Sequence, residues 1–219
     1  MQANSHPVTS NQPHLHHKLA AVVLRHLNTR HRAIVSEHNR QAYQELSREL
    51  ATNPRPLVLD SFCGTGHSTA ALAARHPGHL VVGIDQSAQR LDKHPGSDRA
   101  NYLLLRANCE DIWTLLAEDG KLVDFHYLLY PNPWPKARHL QRRIHGHGSF
   151  PQLLQLGGKL ELRSNWQIYV EEFGFAMHLA GHRGYVSKIA EGGPALTLFE
   201  QKYRQSGHHL WSYTGAIMP

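Results

Sequence analysis

Five short apolar runs, at residues 57–59, 80–84, 102–105, 123–130 and 159–162, alternate with segments whose apolar positions recur at helical spacing. Parallel strands cannot be joined by tight hairpins, so this alternation predicts an α/β fold with a mostly parallel central sheet and helices on both faces. The spacing predicts helices over 68–75, 110–117, 138–144 and 166–180, and Gly157-Gly158 marks a turn before the fifth strand. Beyond Gly184, strand-like runs around 185–189 and 210–213 are expected to form a C-terminal antiparallel hairpin.

A chain of 219 residues with 41% hydrophobic content can bury one sizeable core. Residues 1–15 are polar, carry Pro7 and Pro13 and lack apolar periodicity, so they are expected to form a disordered arm. Residues 16–52 hold apolar positions such as Leu19, Val23, Tyr43 and Leu46 at helical spacing and are expected to form one or two helices. The Asn53-Pro54-Arg55-Pro56 break ends them, because proline removes a backbone donor, and residues 53–219 form the sheet domain. The apolar stretch at 19–24 is far shorter than the ~20 residues that span a bilayer, and a cytoplasmic protein with reduced Cys63 and Cys109 is expected. Lys and Arg exceed Asp and Glu by 23 to 17, a formal charge of +6, which suits a polyanionic partner.

The first strand ends in Asp60-Ser61-Phe62-Cys63-Gly64-Thr65-Gly66 and runs into a helix, which places a glycine turn at the carboxyl edge of the sheet, where open α/β folds bind ligands. Gly64 and Gly66 allow close backbone approach. Asp85 closes the second strand, where a carboxylate can accept ribose hydroxyls, and Asn108-Cys109-Glu110 follows the third, where an adenine could sit. A dinucleotide site would prefer a third glycine where Thr69 stands, and Asp60 would repel a pyrophosphate. S-adenosylmethionine fits better: it lacks phosphate, and its ammonium and sulfonium are attracted by a carboxylate.

Tyr130-Pro131-Asn132-Pro133-Trp134-Pro135-Lys136-Ala137-Arg138-His139-Leu140-Gln141-Arg142-Arg143 follows the fourth strand, on the same sheet edge. Its prolines stiffen the loop. On the expected helix, Arg138 and Arg142, and His139 and Arg143, stand four apart and form two cationic rows suited to phosphates. The segment resembles the Pro-Asp-Pro-Trp-Pro-Lys-x-Arg-His-x-Lys-Arg-Arg hallmark of the bacterial tRNA (guanine-N7) methyltransferases. Thr197-Leu198-Phe199-Glu200 is similar to that family's Thr-x-Phe-Glu, and Ser164-Asn165-Trp166-Gln167-Ile168-Tyr169 to its Thr-Asp-x-x-x-Tyr. The resemblance runs in order over roughly 57–213 and implies a Rossmann-like class I methyltransferase fold, an S-adenosylmethionine cofactor and a tRNA substrate.

Carried onto this chain, the resemblance implies that Asn132 orients the acceptor, Glu200 grips its donor edge and Thr197 assists, with Trp134 and Asn165 at the substrate. It implies phosphate contacts for Lys136, Arg138, His139, Arg142 and Arg143. N7 of guanine already carries a lone pair, so holding nucleophile and methyl roughly 3 to 3.5 Å apart in line is the main requirement. The chain departs from the family's pattern where Asn132 and Asn165 replace aspartates and Gln141 replaces a lysine, and its N-terminal section does not resemble the family's usual lead-in. A carboxylate accepts both N1–H and the 2-amino group of guanine, whereas an amide offers one acceptor and one donor, and a lost polar match can reduce discrimination by ~10⁴-fold. A methyltransferase acting on a small-molecule or protein nitrogen is therefore the alternative, partly matched by Asn132-Pro133-Trp134, and a non-catalytic RNA-binding module is the third reading. The grouped histidines, such as His16-His17 and His208-His209, lack carboxylate or cysteine partners at ordered spacing, and no metal is expected.

Overall fold

The computed structural model describes residues 5–32, 34–98 and 100–218. Five parallel strands, β1 (Leu57–Ser61), β2 (Leu80–Asp85), β3 (Tyr102–Arg106), β4 (Phe125–Leu129) and β5 (Gly158–Ser164), are followed by β6 (Gly184–Lys188) and β7 (Trp211–Ile217). The seven strands lie in the order β3-β2-β1-β4-β5-β7-β6, with β7 antiparallel to both β5 and β6. The strand order reverses between β1 and β4, the position at which open α/β sheets leave a crevice outside their carboxyl edge.

The central strands β1 and β2 are buried at every position, which is why they read as continuous apolar runs. Pleating sends alternate residues to opposite faces. Leu57 and Leu59 join the larger core with Leu80, Val82, Ile84 and Trp113, while Val58 and Val81 pack on the other face against Leu72, Ala73 and Leu196. The larger face is covered by α1 (Leu19–Leu27), α2 (Glu37–Thr52), α5 (Cys109–Glu118), α6 (Phe150–Gln155) and α7 (Gln167–Leu179); α3 (His67–Arg75) covers the smaller one. The short α4 (Ala88–Leu91) follows β2. Among the described residues no helix is long and apolar enough to cross a membrane.

Three expectations change. The strands β6 and β7 pair as expected, but α8 (Leu198–Gln205) lies in the connection between them, so no tight hairpin turn joins them. The helix expected over 138–144 is instead two short 3-10 segments, Ala137–Arg142 and Ile144–Gly146. Gly146 packs so closely that a Cβ there would stand 2.1 Å from the Leu140 carbonyl oxygen, an approach that a regular helix would not make. In 3-10 geometry residues three apart share a face, so His139 and Arg142 align and the two expected i,i+4 rows do not form.

The third change concerns the arm. Residues 1–4 lie outside the described residues, but 5–15, expected to be disordered, run as irregular chain pinned onto the domain. Gln12 is buried; its Nε2 donates to Glu172 Oε1 at 2.7 Å, and the His16 amide donates to the same oxygen at 2.8 Å. Arg143, also fully buried, donates to Glu172 Oε2, to Gln12 Oε1 at 3.0 Å and, through Nε and Nη2, to the Trp134 carbonyl at 3.3 and 3.2 Å. His145 Nε2 lies 3.1 Å from Glu172 Oε2. Burial opposes a charge on Glu172, yet the donors from His145, Arg143 and the His16 amide outweigh it and hold the carboxyl down at about 2. The arm docks chiefly through polar contacts, centred on this buried ion pair, with Val8 packed against the core. Removing the carboxylate strands a buried guanidinium, so Glu172→Ala is expected to destabilise the fold by ~3–5 kcal/mol, measured by urea unfolding.

Candidate active site

The crevice at the carboxyl edge of β1, β2, β4 and β5 holds a cavity of about 670 Å³, a size that suits a cofactor with part of a substrate. One wall begins where β1 runs out into Phe62 and Gly64. Gly64 has φ +61°, and a Cβ on it would meet nothing within 4 Å, so the backbone here opens directly onto the cavity. Its N–H donates to Asp85 Oδ2 at 3.0 Å, and the Ser87 amide donates to Asp85 Oδ1 at 2.8 Å. Arg90, 57% exposed at its side chain, reaches the same carboxylate at 3.3 Å. The carboxylate at the end of β2 is thus buried, aimed at the glycine turn and within the cavity lining.

Asn108, Cys109 and Glu110 complete this wall. Asn108 is the N-cap of α5, accepting the Asp111 amide at 3.0 Å, and its own N–H is held by Asn39 of α2 at 3.2 Å. Cys109 Sγ accepts the Phe62 amide at 3.2 Å, and burial pushes its thiol well up. Burial also raises the Glu110 carboxyl. Asp60 and Gly66 do not line the cavity. Gly66 has φ +72°, a conformation that favours glycine, and a Cβ there would stand 2.8 Å from the Leu104 methyls. Asp60 lies beneath the turn, fully buried, with Oδ2 accepting the Ser68 and Thr69 hydroxyls at 2.7 Å each and Oδ1 without a partner. Burial pushes its pKa up to about 6, opposed by those two hydroxyls.

The opposite wall consists of Pro131, Asn132, Pro133 and Trp134 after β4, Arg142, Asn165 after β5, and Phe199 and Tyr203 on α8. Asn132 Oδ1 accepts the Trp134 amide at 3.3 Å, Arg142 stacks over the Trp134 ring at 4.8 Å, and His139 meets that ring edge-on at 5.5 Å. Phe199, 49% exposed, stacks on Tyr203 at 6.2 Å, and Tyr203 packs on Tyr130 at 5.6 Å. Among the described residues, Phe62, Tyr130 and Trp134 are the non-glycine residues with positive φ, and all three line this cavity. Backbone in that region costs ~1–3 kcal/mol per residue and persists where surrounding contacts impose it, which marks the cavity as a functional site.

Six residues expected at the substrate, Lys136, Arg138, His139, Arg143, Thr197 and Glu200, do not line the cavity. Arg143 is buried in the ion pair with Glu172 and cannot reach a phosphate. Thr197 is the N-cap of α8, accepting the Glu200 amide at 2.9 Å. Glu200 is fully buried, bound by Arg163 at 2.9 Å and Arg204 at 2.5 Å, and accepts the Leu196 amide at 3.4 Å. The Thr-x-Phe-Glu segment therefore builds a helix start and anchors it to β5, which places Phe199 at the cavity. Lys136 and Arg138 lie outside the cavity beside residues 9–11 of the arm. Sequence reasoning missed Phe62, Tyr130, His147, Phe199 and Tyr203; the i,i+4 aromatic pair at 199 and 203 was the available signal. Among the described residues no group of three or more His, Cys, Asp or Glu side chains converges as for a metal.

Fold and site together define a methyltransferase, and comparison with solved structures agrees on the fold. The antibiotic-resistance methyltransferase Kmr superposes with a TM-score of 0.53 at 18% identity, covering 81% of this chain and 93% of that one. A structure described as an antibiotic related methyltransferase gives 0.56 at 15% identity, covering 85% and 97%. A family described as "Putative methyltransferase" matches residues 54–213. Among curated relatives, the tRNA (guanine-N(7)-)-methyltransferase of Zymomonas mobilis is 31% identical over 182 residues, 75% of this chain and 76% of that protein. That of Sphingopyxis alaskensis is 32% identical over 186 residues, 76% and 78% respectively. The chain belongs to the tRNA (guanine-N7) methyltransferase family.

Because Glu200 neutralises two arginines out of contact with the cavity, Glu200→Gln is expected to lower stability by ~2 kcal/mol. Cofactor affinity should stay unchanged; denaturant unfolding and calorimetric titration read the two separately.

Proposed function

We propose that this protein transfers the methyl group of S-adenosylmethionine to N7 of a guanine in tRNA. The observation that carries this reading is the facing of two walls across one cavity: Gly64, Asp85 and Asn108 on one side, the strained Pro131–Trp134 loop and Asn165 on the other.

The first wall fits the cofactor. Asp85 stands where ribose hydroxyls would donate, with the exposed Arg90 free to yield its place on the carboxylate. The partnerless Oδ1 of Asp60 lies buried beneath the glycine turn, an acceptor that a cationic amine would satisfy through a bridging water. Asn108 and Glu110 supply polar groups for the adenine end. When bound, the cofactor supplies an activated methyl group on a sulfonium.

The second wall serves the acceptor. Trp134, Phe199 and Tyr203 offer aromatic faces on which a flipped base can stack, worth ~1–3 kcal/mol per base. Asn132 Oδ1 is committed to the Trp134 amide, so its NH₂ remains to donate to an acceptor edge such as guanine O6. No general base is needed, because N7 presents a lone pair; the residues need to orient the purine and exclude water. Arg142 at the cavity, with Lys136, Arg138 and His139 on the adjoining segment, would hold phosphates on either side of a base in the cavity. A tRNA substrate puts the enzyme in the cytoplasm.

Binding through phosphates weakens steeply with salt, and each lost phosphate contact reduces the slope of log K against log salt by about 1. Replacing Lys136, Arg138 and Arg142 together by Ala is therefore expected to flatten that slope by about 3 for tRNA, measured by fluorescence anisotropy. A wild-type affinity for tRNA that does not respond to salt, with transfer to a neutral amine instead, would reassign the acceptor to a small molecule.

A further inference from the structure

The acceptor wall carries an amide, Asn165, and its orientation can be read from its neighbours. Asn165 Nδ2 lies 3.2 Å from His208 Nδ1, and His208 Nε2 lies 3.0 Å from the carbonyl oxygen of Ser5. A carbonyl oxygen only accepts, so Nε2 carries the imidazole proton, and Nδ1 of the neutral ring is then an acceptor. Asn165 must donate to it. That directs the NH₂ group of Asn165 at His208 and leaves Oδ1 on the opposite side of the amide. The imidazole is clamped by Tyr203, whose ring stacks on it at 5.3 Å with 11° between planes. Tyr203 and Asn165 both line the cavity.

We propose that His208 is a positioning residue, fixing the Asn165 amide so that its carbonyl oxygen accepts a hydrogen bond from the N1–H or 2-amino group of the acceptor guanine. The inference rests on the guanine-methylating reading above. A carboxylate presents an oxygen whichever way it is turned; an amide does so in one of two orientations. Turned over, Asn165 would set its NH₂ against the donors of guanine and its Oδ1 against the lone pair on His208 Nδ1. Both mismatches oppose the flip. The relay from Ser5 through His208 to Asn165 thus lets a neutral side chain fill the acceptor role of a carboxylate, and it makes the N-terminal segment part of the substrate site.

The test is a cycle of His208→Phe, Asn165→Asp and the double variant, with methyl transfer to tRNA followed under kcat/KM conditions. Phenylalanine keeps the stack on Tyr203 and removes both ring nitrogens. His208→Phe alone is expected to lower kcat/KM about tenfold, the scale of one unmatched buried hydrogen bond, with cofactor affinity and melting temperature unchanged. In the Asn165→Asp background the same change is expected to have no effect, because either carboxylate oxygen can accept. Full wild-type rates for His208→Phe, or an equal loss in both backgrounds, would overturn the relay. A wild-type protein that forms no 7-methylguanosine would remove the guanine reading itself, whereas an active wild type with an indifferent His208→Phe would remove the relay alone.

Discussion

The buried ion pair between Arg143 and Glu172 organises the substrate half of this molecule. Glu172 comes from α7, Arg143 from the junction between the two 3-10 segments after the proline loop, and Gln12 and the His16 amide from the N-terminal segment, so one carboxylate gathers three stretches remote in sequence. Two buried charges are expensive to desolvate, and such a pair adds little net stability over an apolar substitute; what it contributes here is geometry. The guanidinium fork holds the Trp134 carbonyl while Asn132 holds the Trp134 amide, and between them the tryptophan is kept at φ 46°. Both peptide groups that flank Trp134 are therefore held.

The cofactor half depends on a different contact. Gly64 donates to Asp85, which ties the turn after β1 to the end of β2 before any ligand arrives. The adjoining strand ends are locked in the same way, through the Phe62 amide on Cys109 and the Cys63 amide on the Ile84 carbonyl at 3.0 Å. The two halves meet at the point where strand order reverses, and a preformed cavity with fixed dipoles loses little on binding.

Much of this was legible in the sequence for a physical reason: β1 and β2 are covered on both faces, so their apolar runs and the Gly64 turn between them announce themselves locally. The carboxylate of Asp85 and the cap at Asn108 follow from position at strand and helix ends. What was not legible depends on partners far along the chain. Arg143 resembles its neighbours Arg138 and Arg142 in a cationic run, and only Glu172, 29 residues away, turns it inward. Gln12 gave no apolar signal because its docking is polar. The sequence points Glu200 at the substrate, yet Thr197-x-x-Glu200 is also the spacing of a helix N-cap, and the ion pair with Arg163 of β5 that buries it depends on a residue 37 positions away. The curated relatives support the methyltransferase reading without assigning any of these side chains a role.

The central claim is that the two walls bring a methyl donor and a tRNA guanine together. It is tested most directly by incubating the purified protein with isotopically labelled S-adenosylmethionine and bulk tRNA, digesting the RNA and identifying the labelled nucleoside by mass spectrometry. The account predicts label in 7-methylguanosine. Label in another nucleoside, or none in RNA despite cofactor binding verified by calorimetry, would contradict it.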